Sequence, residues 1–355
     1  MKIINIKEFK KSSNLLDGTE LVLVIKSQDQ LERRKRLIEG LKTNKLGRTI
    51  SRPIAKGLVA RVVLKNGKCI TKLKKSFQEP RHIRSFKNSY IMTENDSVNI
   101  VDKNFNIIKK ITNPYFAFLH TIELSLDENR ALIVSSGFDA CFEVDLNNYK
   151  IVWEWFAWEN GFNPSKDGVW LCIKEEDYQN YLKEGKKCEL INPEDYKGYG
   201  IITSKRTAHP NCAIYDPYEN GWFYLSIGYK GEIYKINMSS LKKEKVFTVG
   251  NVMPHGIYKF KNGFMVTNTL KGEFFILSKD WEILEKYIIR DLPNKPIELQ
   301  EVEWIQQVIP INDDIFLAID ANRSSLIIID IKNKEYCMYS VDENWCVQDV
   351  LKESI

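Results

Sequence analysis

The chain has 355 residues, of which 43% are apolar and 28% charged, with a formal net charge of +5, so it can form two domains or one large domain. Its basic runs KKSSN, RRKR and KLKK are short, typical of solvated surface, and stand without a DNA-reading motif, which argues against nucleic-acid binding. No apolar run is long enough for a membrane span or a signal peptide, and the seven cysteines form no CxxC pair, so we expect a cytoplasmic protein without a disulfide framework or thiolate zinc site.

The first 80 residues predict a partial unit of β-structure. LVLVI at 21–25 has the pattern of a strand, and QDQLERRKRLIEGLK at 28–42 has that of a short charged helix or surface excursion. Two alternating runs follow in GLVARVVLKNGKCITKL, joined at Asn66-Gly67. Because Asn-Gly is the strongest local hairpin signal, these runs predict a two-stranded hairpin.

A repeated unit then dominates the chain: a histidine, a short apolar strand, a turn, and two or three more strands. The clearest copy, residues 120–156, contains ALIVSS, CFEVDL and KIVWEW separated by turn residues. A fifth copy has Gln306 where the others have histidine. The four copies that begin with histidine, including the one just described, start at His82, His120, His209 and His255.

Residues 157–208 interrupt this rhythm. They contain loop-forming stretches and one short helical pattern, EEDYQNYLKEG, together with more aromatics than a solvated linker carries. We expect a lid that folds over one opening of a central channel and forms an apolar wall of a substrate pocket. The alternative is a flap that packs on the side of the domain.

Repeated four-stranded units of roughly 40 to 50 residues are typical of a β-propeller. The sequence therefore predicts an all-β fold, a single β-propeller domain spanning residues 1–355, with one helix-containing insertion. Five units are legible, and the N-terminal strands together with the C-terminal tail supply a sixth. We predict six blades, with five or seven left open, and chain ends that share a blade because closing the ring removes exposed sheet edges.

The histidines recur at equivalent positions of their units, so in a propeller they converge on the axis. Four neutral imidazoles suit a transition metal, with iron(II) favoured and copper or zinc also open. The predicted metal ligands are His82, His120, His209 and His255, although the turn after His82 arrives one residue early. The alternative is that the histidines are structural hydrogen-bonding posts. Gln306, Glu123 and Asn211 are the polar residues expected to orient these histidines or contact substrate.

Two short segments resemble metal-containing propellers. Thr207-Ala208-His209-Pro210, followed by Asp216-Pro217 and Gly221, resembles the blade-opening motif of carotenoid cleavage oxygenases. That resemblance implies iron held by four histidines and cleavage of an alkene by dioxygen. Pro254-His255-Gly256-Ile257 is similar to the blade opening of NHL-type repeats, including the amidating lyases, and implies a histidine-bound zinc on the axis.

A third resemblance covers one whole blade. The segment from His120 to Trp155, which ends in Ile-Val-Trp-Glu-Trp, resembles bacterial arylsulfotransferase propellers. In that family axial histidines act on a sulfate group without a metal. The Trp153-Glu154-Trp155 motif itself is typical of packing between blades.

Three functions follow from the sequence, all with a small molecule or a protein as partner and with the oligomeric state open. The first is a metalloenzyme with non-haem iron(II) on four histidines and oxidative or oxygenase-type chemistry on a small molecule. The second is metal-free group transfer of the arylsulfotransferase type, in which His120, His209 or His255 acts as nucleophile or oxyanion partner and Arg81 or Arg206 holds an anion. The third is a non-catalytic propeller that binds a protein or peptide at its rim.

Overall fold

The computed structural model describes residues 1–43, 53–250 and 253–353. Most of the strands in these ranges are short and antiparallel to their neighbours, and they are grouped into six blades around a channel. This arrangement confirms the predicted all-β propeller, and the six blades agree with the number expected from the repeats.

The elements follow the chain from the closing blade through blades 1 to 5 and back. The N-terminal region contains β1 (Lys2–Asn5), β2 (Lys10–Lys11), β3 (Glu20–Ile25), α1 (Gln30–Lys42), β4 (Lys56–Lys65) and β5 (Lys68–Gln78). Blade 1 contains β6 (His82–Phe86), β7 (Ser89–Thr93), β8 (Ser97–Val101) and β9 (Ile107–Thr112). Blade 2 contains β10 (Leu119–Leu124), β11 (Arg130–Ser135), β12 (Ala140–Asp145) and β13 (Lys150–Phe156).

The insertion and the remaining blades complete the order. The insertion contains β14 (Trp170–Cys172), α2 (Glu175–Lys183) and β15 (Cys188–Leu190). Blade 3 contains β16 (Pro210–Tyr215), β17 (Trp222–Ile227), β18 (Glu232–Asn237) and β19 (Lys243–Thr248). Blade 4 contains β20 (Pro254–Phe260), β21 (Gly263–Asn268), β22 (Glu273–Ser278) and β23 (Ile283–Ile288), and blade 5 contains β24 (Ile305–Pro310), β25 (Ile315–Asp320), β26 (Ser325–Asp330) and β27 (Glu335–Ser340). The last strand is β28 (Val347–Lys352).

Blade 6 is assembled from both ends of the chain. Strand β28 pairs antiparallel with β3, which pairs with β4, and β4 pairs with β5. The β4–β5 turn has positive φ at Asn66 (50°) and Gly67 (71°), the conformation that an Asn-Gly hairpin turn requires. The predicted hairpin and the predicted sharing of a blade by the chain ends are therefore confirmed.

The innermost strands form a closed ring. In order they are β6, β10, β16, β20, β24 and β28, and each contacts the next, with β28 returning to β6. All six begin at the same opening of the channel, which we call the mouth. The outer edges of blades 4 and 5 are extended by β1 and β2, which pair in parallel with β23 and β27.

The hydrophobic core is divided into six layers, one between each pair of neighbouring blades. Alternation along the strands explains this, because successive side chains point to opposite faces of a blade. Trp153 is one such side chain. Its ring packs edge-to-face on Phe223 of blade 3 with a centroid separation of 5.3 Å, and its Nε1 donates to the Met238 carbonyl. Trp155 is 2% exposed in the same layer. The Trp-Glu-Trp motif thus packs blade 2 on blade 3, as the sequence indicated.

Helices in the described residues are short, and none of them is long and apolar enough to cross a membrane.

Candidate functional site

A one-residue irregularity near the start of the innermost strands sets which side chains face the axis. Five of the six strands carry one extra residue relative to their partner strand, whereas β6 pairs without any shift from His82 to Phe86. A bulge of this kind re-aims the side chains next to it. The shifts lie around His120, Asn211, Gly256, Gln306 and Gln348.

A repeated hydrogen bond identifies equivalent positions around the ring. A side chain on one innermost strand accepts from the main-chain N–H of the next. Asp349 Oδ2 accepts from Ile83 at 3.0 Å, and His82 Nδ1 accepts from Ile122 at 3.2 Å. Thr121 Oγ1 and Cys212 Sγ accept in the same way from Ala213 and Ile257, each at 3.4 Å.

His82 is therefore the counterpart of Thr121, and its neighbour Arg81 is the counterpart of His120. The predicted register is wrong by one residue at His82, because β6 lacks the extra residue that the other innermost strands carry. In the sequence, the missing residue of β6 is visible as a turn that arrives one residue early after His82.

The other three histidines meet at the mouth. The ring centroids of His120 and His209 are 5.8 Å apart, and those of His120 and His255 are 6.1 Å apart. Tyr229 stacks on His209 at 5.4 Å. These three imidazoles are the part of the predicted ligand set that the structure brings together.

The predicted register is also wrong at His209, by two residues, because Asn211 is the counterpart of His120 in blade 3. His209 reaches the cluster from the residues before β16 rather than from the strand. Its φ is 53°, a left-handed conformation that is uncommon for a residue other than glycine. The buried Asp139 carboxylate holds it, accepting from the main-chain N–H groups of Thr207 at 2.6 Å, Ala208 at 3.2 Å and His209 at 2.7 Å. Blade 2 thus fixes the loop that delivers this imidazole.

Two arginines lie against the imidazoles on one side of the mouth. Arg81 Nη1 is 3.4 Å from His120 Nε2, and Arg206 Nη1 is 3.1 Å from His209 Nδ1. Both guanidinium groups pack on the ring of Phe118, at 5.3 and 5.2 Å from its centroid. Arg81 also forms an ion pair with buried Glu79 at 2.8 Å.

Two further cations reach the mouth from the segment that follows β3 in blade 6. Helix α1 places the guanidinium carbon of Arg33 5.0 Å from the ring centroid of Trp304. The ring centroids of Trp304 and His255 are 6.2 Å apart. The positive charge of Lys26 helps to lower the pKa of His120, His209 and His255. The RRKR run is therefore not simply solvated surface, since Arg33 and Arg34 are half-buried at the rim.

Burial and these cations keep the three imidazoles neutral. Burial, then Arg81 and the neighbouring histidines, lower the pKa of His120 well below 6.5. Burial, then Arg206 and His255, do the same for the pKa of His209. Burial lowers the pKa of His255 to about 4, with Arg33 and Lys26 acting in the same direction. At neutral pH the site therefore holds three uncharged imidazoles among fixed positive charges.

The hydrogen bonds assign a different role to each imidazole. His255 Nδ1 lies 3.1 Å from the Met253 carbonyl, so it carries the proton, and Nε2 keeps its lone pair. A guanidinium only donates, so His209 Nδ1 accepts from Arg206 and its proton lies on Nε2. By the same reasoning His120 accepts at Nε2 and carries its proton on Nδ1. One nucleophilic nitrogen and two N–H donors result.

Further along the channel, His82 belongs to a second group of polar side chains, which we call the inner layer: His82, Arg84, Glu123, Gln307 and Asp349. Asp349 is 3.6 Å from His82 Nε2 and 3.3 Å from Arg84 Nη1. Gln307 Nε2 donates to Asp349 Oδ1 at 2.6 Å, and Arg84 is 3.6 Å from Glu123. Burial opposes the charge of Arg84, but Asp349 and Glu123 outweigh it and raise the pKa of this guanidinium.

The three predicted second-shell residues have different positions. Gln306 lies at the mouth, where its Oε1 accepts from Arg33 at 2.7 Å and from Trp304 Nε1 at 2.8 Å. Asn211 is buried beside the histidines, its amide 3.4 Å from the Pro254 carbonyl. Glu123 lies in the inner layer, away from the three imidazoles, because it is three residues further along β10 than His120. Gln306 is the one of the three that touches a cation of the mouth.

Sequence reasoning missed Lys26, Arg33, Trp304 and Tyr229. Lys26 and Arg33 lie between two strands of blade 6, where a charged helical pattern carries no mark of a site. Trp304 had one usable signal, since it stands two residues before Gln306 in the fifth repeat.

The end of the insertion reaches the mouth, whereas its aromatics do not. The Tyr229 hydroxyl donates to the Thr203 carbonyl, and Asn95 donates to that of Gly198 at 2.6 Å. Arg206 Nε donates to the Ile201 carbonyl at 2.7 Å. The aromatics in and just before the insertion do not form the predicted apolar wall. Trp155, Phe156, Trp158 and Phe162 lie in the layers between blades, and Trp170 packs on Tyr181.

The predicted four-histidine metal site fits these positions poorly. His82 is occupied by Ile122 and Asp349, and two of the remaining imidazoles face guanidinium groups. In the described ranges, no group of three His, Cys, Asp or Glu residues is arranged to hold a metal ion. Fixed positive charges also repel a divalent cation. The metal site stays a hypothesis, and the charge of its surroundings weighs against it.

No family model and no curated protein matches the sequence. Among solved structures, the chain is similar to a protein of unknown function from Bacteroides caccae, with 9% identity, a TM-score of 0.54 and coverage of 94% of this chain and 98% of that one. It is also similar to a chain of the nidogen/laminin complex, with 9% identity, a TM-score of 0.52 and coverage of 93% and 97%. A virginiamycin B lyase from Staphylococcus aureus gives 12% identity, a TM-score of 0.45 and coverage of 74% and 70%. At such low identity these likenesses concern the fold alone, and the chemistry must be argued from the mouth.

Proposed function

We propose that the mouth is the active site of a metal-free group-transfer enzyme that moves a sulfuryl group from a sulfate ester to an acceptor hydroxyl. One observation carries the proposal: three neutral imidazoles lie among Lys26, Arg33, Arg81 and Arg206. Such a site attracts an anion while retaining a nucleophile. The resemblance of residues 120–155 to arylsulfotransferases supports the same chemistry.

His255 is the nucleophile in this proposal. Its Nε2 lone pair attacks the sulfur atom, an N–S bond forms, and the ester S–O bond breaks with its electron pair leaving on the alcohol oxygen. The acceptor hydroxyl then attacks sulfur, and the N–S bond breaks with its electron pair returning to Nε2. The proton of the acceptor hydroxyl passes, through solvent, to the alcohol oxygen released in the first step. The hydrogen bond from His255 Nδ1 to the Met253 carbonyl holds the ring in the reactive tautomer.

Arg81, Arg206 and the N–H groups of two histidines stabilise the transferred group. Both arginines pack on Phe118, so their spacing is fixed before substrate binds. The Nε2–H of His209 and the Nδ1–H of His120 supply neutral donors to the sulfuryl oxygens. Preorganised donors of this kind are usually the largest contribution to transition-state stabilisation.

A turnover assay tests the proposal. Purified protein is incubated with 4-nitrophenyl sulfate, with and without phenol as acceptor, and in parallel with 4-nitrophenyl phosphate. The proposal expects acceptor-dependent release of nitrophenolate from the sulfate ester and formation of phenyl sulfate. Release of nitrophenolate from the phosphate ester alone would show that the enzyme transfers phosphoryl groups and not sulfuryl groups. If folded protein released nitrophenolate from neither ester, the proposal would be overturned.

A metal centre on three histidines is the second candidate, because the centroid separations of 5.8 and 6.1 Å leave the imidazoles close together. In this alternative His120, His209 and His255 would hold iron(II), copper or zinc. Metal analysis of protein purified without a histidine tag, before and after reconstitution, decides between the two. Near-stoichiometric metal would favour this candidate.

Residues 157–208 have a part in the proposal as a lid over one side of the mouth of a single-domain protein. The support is that Arg206 contacts His209 and that Thr203 is tied to Tyr229, the residue stacked on the same imidazole. Replacing Tyr229 by phenylalanine removes this tie while keeping the stacking. A raised KM for the sulfate ester with unchanged folding would support the lid, whereas unchanged kinetics would contradict it.

A further inference from the structure

Helix α1 is anchored firmly on the rim of blade 5. Arg34 Nη2 donates to the Asn322 carbonyl at 2.7 Å and to Ser324 Oγ at 2.8 Å. Gln30 Nε2 donates to the Ala321 carbonyl at 2.5 Å. These bonds position α1 independently of Arg33, which lies between the two anchors and faces the mouth.

The guanidinium group of Arg33 is held in place, but one of its hydrogen-bond donors has no acceptor. It lies over Trp304 at 5.0 Å, and its Nη2 donates to Gln306 Oε1 at 2.7 Å. Its Nη1 is buried and has no hydrogen-bond partner among the described residues. Burial has the largest effect on its charge, followed by the Cys346 thiol, which also forms a hydrogen bond with the guanidinium, and by Arg36 and Arg34; none of these groups is a carboxylate. A buried donor on a cation without a carboxylate partner is suited to a bound anion.

Arg33 lies on the far side of the ring from the other arginines. Arg81 and Arg206 flank Phe118 at the start of blade 2, whereas Arg33 contacts Trp304 and Gln306 at the start of blade 5. In a ring of six blades, blades 2 and 5 are opposite each other. The mouth therefore has two positive poles with the three imidazoles between them.

We propose that the substrate or acceptor carries a second anionic group, bound by Arg33 against Trp304, in addition to the group held by Arg81 and Arg206. The inference rests on the proposed function, which places the transferred group at the Arg81–Arg206 pole. Gln306 orients the second pole, because its Oε1 accepts from both Arg33 and Trp304. Small molecules with an anionic group at each end, rather than singly charged esters, are the expected class.

Equilibrium binding tests this without any turnover. Benzenesulfonate and benzene-1,3-disulfonate are titrated into the full-length protein by calorimetry at low ionic strength. Because hydrogen bonds to a charged group are stronger than neutral ones, the disulfonate is expected to bind roughly tenfold or more tightly than the monosulfonate. In Arg33→Gln this preference is expected to fall to about twofold, the statistical factor for two equivalent groups.

Arg36→Gln is the matched control, since Arg36 lies on the same helix in an exposed pair with Glu32. It is expected to keep the wild-type preference, and thermal unfolding of both variants checks that α1 has not been displaced. Equal binding of the two probes by the wild type, or a preference that persists in Arg33→Gln, would overturn the inference. Turnover of 4-nitrophenyl sulfate without a disulfonate preference would refute this inference alone, and a preference without turnover would refute the proposed transfer chemistry alone.

Discussion

The mouth and the inner layer of the channel contain the same residue types and use them differently. In the inner layer, Asp349 faces both His82 and Arg84, and Glu123 lies on the other side of Arg84. At the mouth, His120 and His209 face arginines, and His255 faces a carbonyl and leaves its Nε2 available. The role of a histidine in this propeller is therefore set by the charges of its neighbours rather than by its place near the axis.

Replacing one histidine in each layer gives the largest expected contrast. His255→Gln removes the proposed nucleophile and is expected to lower kcat by roughly 10³-fold or more. His82→Gln retains an oxygen that can accept from Ile122, so activity is expected to stay within about threefold while stability falls by about 1 kcal/mol. Steady-state kinetics and urea denaturation measure both. Similar losses of activity in the two variants would favour the four-histidine metal site.

Removing a cation from the mouth is expected to have the next largest effect. Arg206→Gln takes away the proposed contact to the transferred group, and it also removes the donor that fixes the tautomer of His209. A loss of roughly 10²-fold in kcat/KM for the sulfate ester is expected, comparable to the loss of one oxyanion donor. Arg130→Gln is the control, because Arg130 forms a partly exposed pair with Asp145 remote from the mouth. Equal losses of kcat/KM in the two variants would contradict a specific role of Arg206 at the mouth.

Acid should destabilise the fold through the mouth histidines. The pKa of His255 is lowered to about 4 in the folded state, whereas an unfolded histidine titrates near 6.5. The unfolded chain therefore binds the proton first, so the stabilising contribution is complete above pH 6.5 and is lost as pH falls toward 4. The loss from this one group is about 3 kcal/mol, at about 1.4 kcal/mol for each pH unit. Chemical denaturation between pH 7 and 4.5 should show a shallower decline in His255→Gln than in the wild type.

Chelation is expected to have the smallest effect. If the mouth works without a metal, treatment with EDTA followed by gel filtration leaves the rate of sulfuryl transfer unchanged within experimental error. A loss of activity that added iron(II), copper or zinc restores would instead support the metal hypothesis.

The sequence predicted the fold well because a propeller repeats its signal. Turn residues such as Asn66-Gly67 and the alternation within each unit were sufficient for the blades and for the closure by β28 and β3. The site was predicted less completely. The bulges of the other innermost strands have no residue pattern of their own, and the turn that arrives one residue early after His82 was the one sign in the sequence that β6 lacks a bulge. That difference moves His82 out of the predicted set.

Residues that reach the mouth from loops were the hardest to predict. Arg33 belongs to a charged helix whose pattern resembles solvated surface, and only tertiary contacts bring it to Trp304. Arg206 was proposed from its nearness to His209 in sequence, and there the short separation made the contact predictable.

Nitrogen NMR of the chain labelled with ¹⁵N-histidine reports the protonation of each imidazole directly, and the four histidines can be assigned by single substitutions. At neutral pH we expect four uncharged rings, with the proton on Nδ1 in His120 and His255 and on Nε2 in His82 and His209. We also expect His255 to titrate near pH 4. A proton on Nε2 of His255, or titration of that ring near pH 6.5, would contradict the assignment of His255 as the nucleophile.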